Sequence, residues 1–568
     1  MKKLLKSAKE FAQMALSKKI NNLKPIHYSM FLISKFMLLK ESIIKKDSEH
    51  QIIYFNIKNN SQYLNAISII TDNIPRNRII QLNNPESLSE VLSSVVLEDI
   101  PNNTPELDEE KIKEIKIKIW IFNKLRDCFG HGKYKLTDDN NILINNQGYI
   151  ENVTIPLSLL ESFNYISENP SPEKTIDAYL ERIRELRKRF NYNSDNEIDL
   201  LYYKNYINNY KNNIYKNIPV DKKEKIFNNI NNFDIYGTSL DEKKVITPNL
   251  SKKLIQIITE YALKILKEDE FTVEEKLKVV DLIEKTNNNN ICYLDYKTIN
   301  TLITEIESTH KNKQKVLSII DEISTIISTS GNKDQDITIS AIYNYTQLTM
   351  ADVFDKIKEA MKGKTDNTPL EEKKKIISTL GHLKMRNFDF SPIIKNQDLN
   401  IIINNAVKEQ VSFLKSKIDY YNNHKDLSQD IQIKLYEEIM RVYDNMNQII
   451  ITKLANRNYV VVESIRNAIE HGNILPTPNG KVELQDKTNQ NASNTNFTCI
   501  VSPDDLYELT NSLEENNSEE KYTFEDFLLE LKKVLDDDTY KALEETIKQI
   551  NRIKLVVDLT QIKNKKSK

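Results

Sequence analysis

Near its C-terminal end the chain reads Ile465-Arg466-Asn467-Ala468-Ile469-Glu470-His471-Gly472, and near the other end Leu125-Arg126-Asp127-Cys128-Phe129-Gly130-His131-Gly132. Each stretch sets an apolar residue before an arginine, a short polar residue after it, a histidine five positions beyond it, and then a glycine. The chain holds twelve arginines, seven histidines and nine glycines among 568 residues. A shuffled chain would contain about 0.15 pairs at this Arg-to-His spacing, so one copy is open to accident and two with matching flanks are not.

The surroundings match as well. His131-Gly132 is followed by a polar connection, the apolar run 141–144, a turn at Asn146-Gln147-Gly148, a second run from Tyr149 to Ile155, and then Pro156 with a helical stripe of Leu157, Leu160 and Phe163. His471-Gly472 is followed by a Pro-containing loop, Gly480 to Leu484, a long Asn/Thr loop, Phe497 to Val501, and Pro503 with Leu506, Leu509 and Leu513. Both read helix, His-Gly, hairpin, Pro, helix, which is an internal repeat of a domain. The first motif ends a long helix expected over 109–131, with Ile112, Ile115, Ile119 and Phe122 on one stripe. Glycine past a helix end accepts the left-handed conformation, so Gly132 and Gly472 place both histidines in a last turn, where the helix dipole favours an imidazolium.

Residues five apart lie about 140° apart around an ideal helix. An Arg and its own His therefore share no narrow stripe, but two such helices can line one groove. Packed about a pseudo-twofold axis, Arg126, His131, Arg466 and His471 would converge on one cleft. Such a cleft suits phosphodiester cleavage in RNA. One imidazole takes the proton of a ribose 2′-hydroxyl while another donates to the departing 5′-oxygen. Arginine offers a charged donor fork to the phosphorane oxygens. Asp127 and Asn467 are placed to orient an Arg or His. The expected products are a 2′,3′-cyclic phosphate and a 5′-hydroxyl, without a metal or other cofactor, and DNA should resist.

Arg126-Asp127 with His131, and Arg466-Asn467 with His471, resemble the Arg-(Asn/Asp/His)-x-x-x-His signature of the HEPN ribonuclease superfamily. The resemblance implies a mainly α fold of two HEPN-like helical bundles, each with a small β-hairpin after the Arg/His helix, joined by a helical middle region. It implies RNA as substrate, with the HEPN domains paired within the chain or in a homodimer. The His-Gly step and hairpin look most like the abortive-infection branch, which implies an antiphage defence or toxin effector. Two copies around a helical middle also resemble a small RNA-guided type VI CRISPR effector, which would add a guide or regulatory RNA as partner. A catalytically inactive RNA-binding or regulatory scaffold is the reading from another class.

The expected domains are 1–168, a helical middle region 169–392, and 393–568, with the linker Ser167-Glu168-Asn169-Pro170-Ser171-Pro172 at the first boundary. Scarce glycine and proline favour helices. Further helices are expected over 5–20, 25–46, 87–96, 338–362, 369–384, 397–423, 428–471 and 523–555, with others over 173–328. The formal net charge of −2 lacks the basic excess of a protein that wraps long RNA. Three widely spaced cysteines give no disulfide framework or zinc spacing. No signal peptide or membrane span is legible, and a cytoplasmic protein is expected. Arg182, Arg184, Arg187, Lys188 and Arg189 form a basic segment that reads as an RNA-tracking surface or as a solvated helix paired with Glu181 and Glu185. Tyr202, Tyr203, Tyr206, Tyr210 and Tyr215 beside it read as core or as a stacking platform.

Overall fold

The computed structural model describes residues 2–39, 43–46, 51–100, 108–146, 148–168, 183–184, 186–192, 272, 333–363, 368–391, 399–424, 426–477, 480–487, 495–515 and 523–566. The protein is mainly helical with small sheets. The linker residues 169–172, Arg182, the tyrosine-rich segment and nearly all the helices expected between 197 and 328 lie outside the described residues. Two compact units form, Met1–Ala351 with Asn467–Asp504, and Asp352–Arg466 with Asp505–Lys568.

The first unit is built on α1 (Lys2–Leu16), α2 (Pro25–Leu39), α3 (Ile57–Thr71), α4 (Pro85–Ser93), α5 (Glu109–Gly130), α6 (Leu157–Glu168) and the start of α7 (Lys333–Lys362). The helix α5 starts where Asp108 accepts a hydrogen bond from the Lys111 amide at 2.8 Å, with Glu109 and Glu110 in the first turn. Its C-terminal half is buried on nearly every side. Ile119, Trp120, Ile121, Phe122, Leu125, Cys128 and Phe129 are all in the core, while Ile112 and Ile115 are only half-buried. The expected single stripe is thus a central helix, wrapped by α2, α3 and α6. Phe36 of α2 sits 5.1 Å from Phe122, 5.1 Å from Phe129 and 4.8 Å from Phe163 of α6, centroid to centroid. Fully burying each such ring stabilises the fold by about 1.5–3 kcal/mol.

The two histidine-bearing ends are copies of one another in backbone detail. The amides of His131, Gly132 and Lys133 donate to the carbonyls of Asp127, Phe129 and Cys128 at 3.0, 3.2 and 2.8 Å. Those of His471, Gly472 and Asn473 donate to Asn467, Ile469 and Ala468 at 3.0, 3.0 and 2.7 Å. Gly132 and Gly472 both take the left-handed conformation, at φ 62° and 73°. Three antiparallel strands follow each: β4 (Tyr134–Leu136), β5 (Ile142–Asn146) and β6 (Ile150–Ile155) after the first, β7 (Ile474–Pro476), β8 (Val482–Lys487) and β9 (Thr495–Val501) after the second. Tyr134 pairs Ile144 as Ile474 pairs Leu484, and Ile142 pairs Ile155 as Val482 pairs Val501. Even the tight turns agree, with Thr137 bonded to Asn141 and Thr477 to Lys481 through both backbone and hydroxyl. Each hairpin is therefore a three-stranded meander.

The second unit is helical. In it lie α8 (Leu370–Gly381), α9 (Leu399–Asn423), most of α10 (Gln429–Glu470), α12 (Phe524–Val534) and α13 (Asp537–Lys566), while α11 (Pro503–Glu515) crosses the boundary. Val407, Val411, Leu414 and Ile418 of α9 pack with Met446, Ile450 and Leu454 of α10, Leu531 of α12, and Leu543, Ile547 and Ile550 of α13. Their spacing of three or four residues is that of an apolar helix face.

Three expected elements differ. The helix expected over 25–46 stops at Leu39, and Lys45–Lys46 form β1, which pairs with β2 (Ile53–Asn56). The helix expected over 87–96 begins at Pro85, capped by Asn84, and yields at Val95 to β3 (Val95–Glu98), parallel to β2. The helix expected over 523–555 is two helices. Asp536 caps α13 by accepting from the Thr539 amide at 2.7 Å, which ends α12 beforehand.

Candidate active site

The ends of α5 and α10 meet inside the first unit. Gly130 lets them close in: a side-chain carbon there would lie 3.2 Å from the Glu470 carbonyl oxygen. The carbonyl of Gly130 in turn accepts from Gln347 Nε2 of α7 at 2.7 Å. Gly472 is equally constrained, because a Cβ on it would sit 2.5 Å from the Met37 carbonyl oxygen.

At this junction Arg126 reaches from one repeat to the other. Its Nη2 lies 2.7 Å from His471 Nδ1 and 3.5 Å from the Glu470 carbonyl, and its Nη1 donates to Asp127 Oδ1 at 2.9 Å. Guanidinium carries only donors and stays protonated. The nitrogen facing it can only accept, which puts the proton of a neutral His471 ring on Nε2. His131 Nδ1 makes an ion-pair contact with Glu470 Oε1. A carboxylate only accepts, so His131 carries a proton on Nδ1. The His131 side chain is 44% exposed and that of Glu470 is 11% exposed.

Arg126 itself is 3% exposed, and its Nε is buried without a hydrogen-bond partner among the described residues. It does not offer an open fork as the sequence led us to expect. Its two terminal nitrogens are engaged by Asp127 and His471. Asp127 is held from further sides, by Lys46 Nζ at 3.4 Å and Asn123 Nδ2 at 3.4 Å. Close by, the hydroxyls of Tyr134 and Tyr343 are buried without hydrogen-bond partners among the described residues. Burial pushes both phenols far above their ordinary range, and the positive charge of Arg126 pulls Tyr343 slightly back.

Lys46 is a site residue that sequence reasoning placed at the end of a helix. Burial lowers its ammonium to about 8, against the attraction of Asp127, with Arg126 adding repulsion. A lysine at about 8 when folded and 10.5 when unfolded binds more protons in the unfolded chain between those values. Stability therefore rises with pH across that window. Relative to Lys46→Met, the unfolding free energy of the wild type should climb by on the order of 3 kcal/mol from pH 8 to 10.5, measured by urea titration at each pH.

The other expected residues are placed as follows. Asn467 donates to Asp486 Oδ2 at 3.2 Å. Arg466 is the last residue of its segment of the second unit, with its guanidinium 5.3 Å from the centroid of the Phe354 ring in that unit. Arg187 is bound by Glu161 through Nε at 2.8 Å and Nη2 at 2.6 Å and lies over the Tyr192 ring. Glu161 also accepts from Tyr28 at 2.6 Å, so this arginine pins α6 and is not open to RNA. Arg184 and Lys188 are exposed, and Arg189 is half-buried. Among the described residues no group of three His, Cys, Asp or Glu is placed to hold a metal ion, and no helix is long and apolar enough to cross a membrane. Comparison with protein-family models, with curated proteins and with solved structures finds no match for this chain.

Proposed function

We propose that the protein is a metal-independent endoribonuclease of tandem HEPN type that cleaves RNA by 2′-hydroxyl attack, acting in the cytoplasm as an antiphage or toxin effector. The observation that carries this reading is the 2.7 Å link from Arg126 of one repeat to His471 of the other, with His131 tied to the residue next to His471. Two imidazoles from duplicated helix ends are thereby held together with different protons. Nucleophile activation and leaving-group support need two such groups.

Positive charge for the pentacovalent phosphorus comes from the side chains. Arg126 sits behind His471, and its charge strengthens the Nε2–H of that ring as a hydrogen-bond donor. Lys46 adds a second cation one carboxylate away. In this reading a ribose 2′-oxygen attacks the adjacent phosphorus and the 5′-oxygen departs, leaving a 2′,3′-cyclic phosphate. The substrate must carry the 2′-hydroxyl, which restricts the enzyme to RNA.

The test uses full-length protein, 5′-labelled RNA and EDTA. Fragments ending in 2′,3′-cyclic phosphate are expected, and a single 2′-deoxy substitution at the cleaved position should protect it. Absence of cleavage, or fragments ending in a 3′-hydroxyl, would reject the proposal.

A further inference from the structure

We propose that Glu470 is the positioning carboxylate of His131, and that the two histidines are therefore unequal: His131 is the base and His471 the hydrogen-bond donor. The inference rests on the ribonuclease reading above, which by itself leaves the two imidazoles interchangeable.

The asymmetry is written into the repeat. Gly130/Glu470, His131/His471, Thr137/Thr477 and Ile142/Val482 are each separated by 340 residues, so Glu470 and Gly130 hold equivalent positions. Glycine has no side chain to return what Glu470 provides. The His131 ring is thus met by a carboxylate, whereas the His471 ring is met by the guanidinium of Arg126. Gly130 is also where the two helix ends approach closely, since any side chain there would press on the Glu470 backbone. The same glycine that removes the second carboxylate brings the first within reach of His131.

Each partner fixes a tautomer. A carboxylate on Nδ1 holds the proton there and leaves Nε2 of His131 with its lone pair, in a ring that is 44% exposed. It also stabilises the imidazolium formed when that lone pair takes a proton. A guanidinium on Nδ1 occupies the lone pair of His471 and leaves only an Nε2–H, which donates and cannot accept. In the reaction the O2′–P bond forms and the P–O5′ bond breaks, its electron pair staying on O5′. His131 Nε2 takes the 2′-hydroxyl proton. O5′ takes a proton from water, and the hydroxide left behind recovers the proton from His131. His471 Nε2–H bonds to the departing oxygen throughout and ends unchanged.

Glutamine separates the two roles, because its amide donates but is no base. In the full-length protein, His471→Gln should lose about 10-fold in kcat and His131→Gln at least about 10³-fold. Glu470→Gln should lower kcat about 10–100-fold with KM unchanged, the pattern of a group that orients a reacting residue. Equal losses at the two histidines, or an unaltered kcat in Glu470→Gln, would overturn the assignment while leaving the nuclease standing. The imidazole nitrogen spectrum of ¹⁵N-histidine-labelled protein, with His131 identified by its loss in His131→Gln, decides the question even if RNA is not cut. A neutral His131 should carry its proton on Nδ1 in the wild type and shift toward the Nε2–H form in Glu470→Ala. An Nε2–H form already dominant in the wild type would overturn the proposal.

Discussion

Replacing Arg126 with alanine should lower RNA cleavage by about 10²–10⁴-fold and destabilise the first unit by about 3–5 kcal/mol, the largest combined effect of any single side chain in the site. The stability cost follows from burial. With the guanidinium gone, Asp127 keeps only Lys46 and Asn123 of the groups described above, and its carboxylate loses its closest cation. The catalytic cost follows from His471. Without a donor at 2.7 Å, its Nδ1 can take the proton, and the Nε2–H form proposed as the donor to the departing oxygen is no longer enforced. Arg126→Lys separates the two costs. An ammonium keeps the charge beside Asp127 and restores part of the stability, but one nitrogen cannot span both Asp127 and His471, so cleavage should stay low. Cleavage rates with labelled RNA and urea midpoints on both variants check this. A lysine variant that cleaves like the wild type would show that charge alone matters at this position.

Much of this arrangement is visible in the chain itself, because local chemistry sets it. Asp108 before an acidic turn, and Gly132 after His131, mark the two ends of α5 without reference to anything distant. Pro156 and Pro503 mark where the strands give way to helices. The runs at 142–144 and 150–155 are short, rich in β-branched residues and bounded by turn residues, as strands are. The segment Tyr134–Leu136 is too short to show a period, and it becomes a strand only because β5 offers it a partner. Val95 and Val96 follow a helical stretch, and their β-branched side chains are the only hint that the chain turns into a strand beside Ile53 and Tyr54. In the same way Asp536 heads an acidic run, and its capping role splits a stretch whose apolar spacing looks continuous.

The site residues divide along the same line. The two Arg–His motifs stand out as repeated strings. Glu470 lies inside one of them and Gly130 stands in its place in the other, a difference that gains meaning only from the close approach of Gly130 to the Glu470 backbone. Lys46 had no signal at all. It reaches Asp127 from β1, a two-residue strand that exists only by pairing with β2. Where a guanidinium points is likewise outside the reach of spacing. Arg126 turned inward to His471 and Asp127, and Arg187 to Glu161, because buried carboxylates and an imidazole lone pair attract them more than solvent does.

Phe122→Ala should cost about 3–5 kcal/mol, the range for emptying a buried aromatic site, although Phe122 touches no reacting group. The ring is fully buried between Phe36 of α2 and Phe163 of α6, at 5.1 and 5.6 Å. It also lies one helical turn before Arg126, so α5 loses its grip on both neighbours just where it delivers the site. Phe122→Leu fills most of the space and should cost about 1–2 kcal/mol. The chain offers an internal reporter, since its one tryptophan, Trp120, is buried on the same helix. Its fluorescence follows the first unit, whereas far-ultraviolet circular dichroism follows the whole helical chain. In urea the Trp120 midpoint should fall steeply in Phe122→Ala. The equivalent cavity at Leu414, in the core of α9, α10, α12 and α13, should leave the Trp120 midpoint nearly in place while the dichroism curve shifts. RNA cleavage should track the Trp120 signal in both variants, because Arg126, His131, Glu470 and His471 all belong to the unit that Trp120 reports. If cleavage instead followed the Leu414 cavity, the reacting groups would have to be sought in the second unit, and the pairing of His131 with His471 would not be the centre of the chemistry.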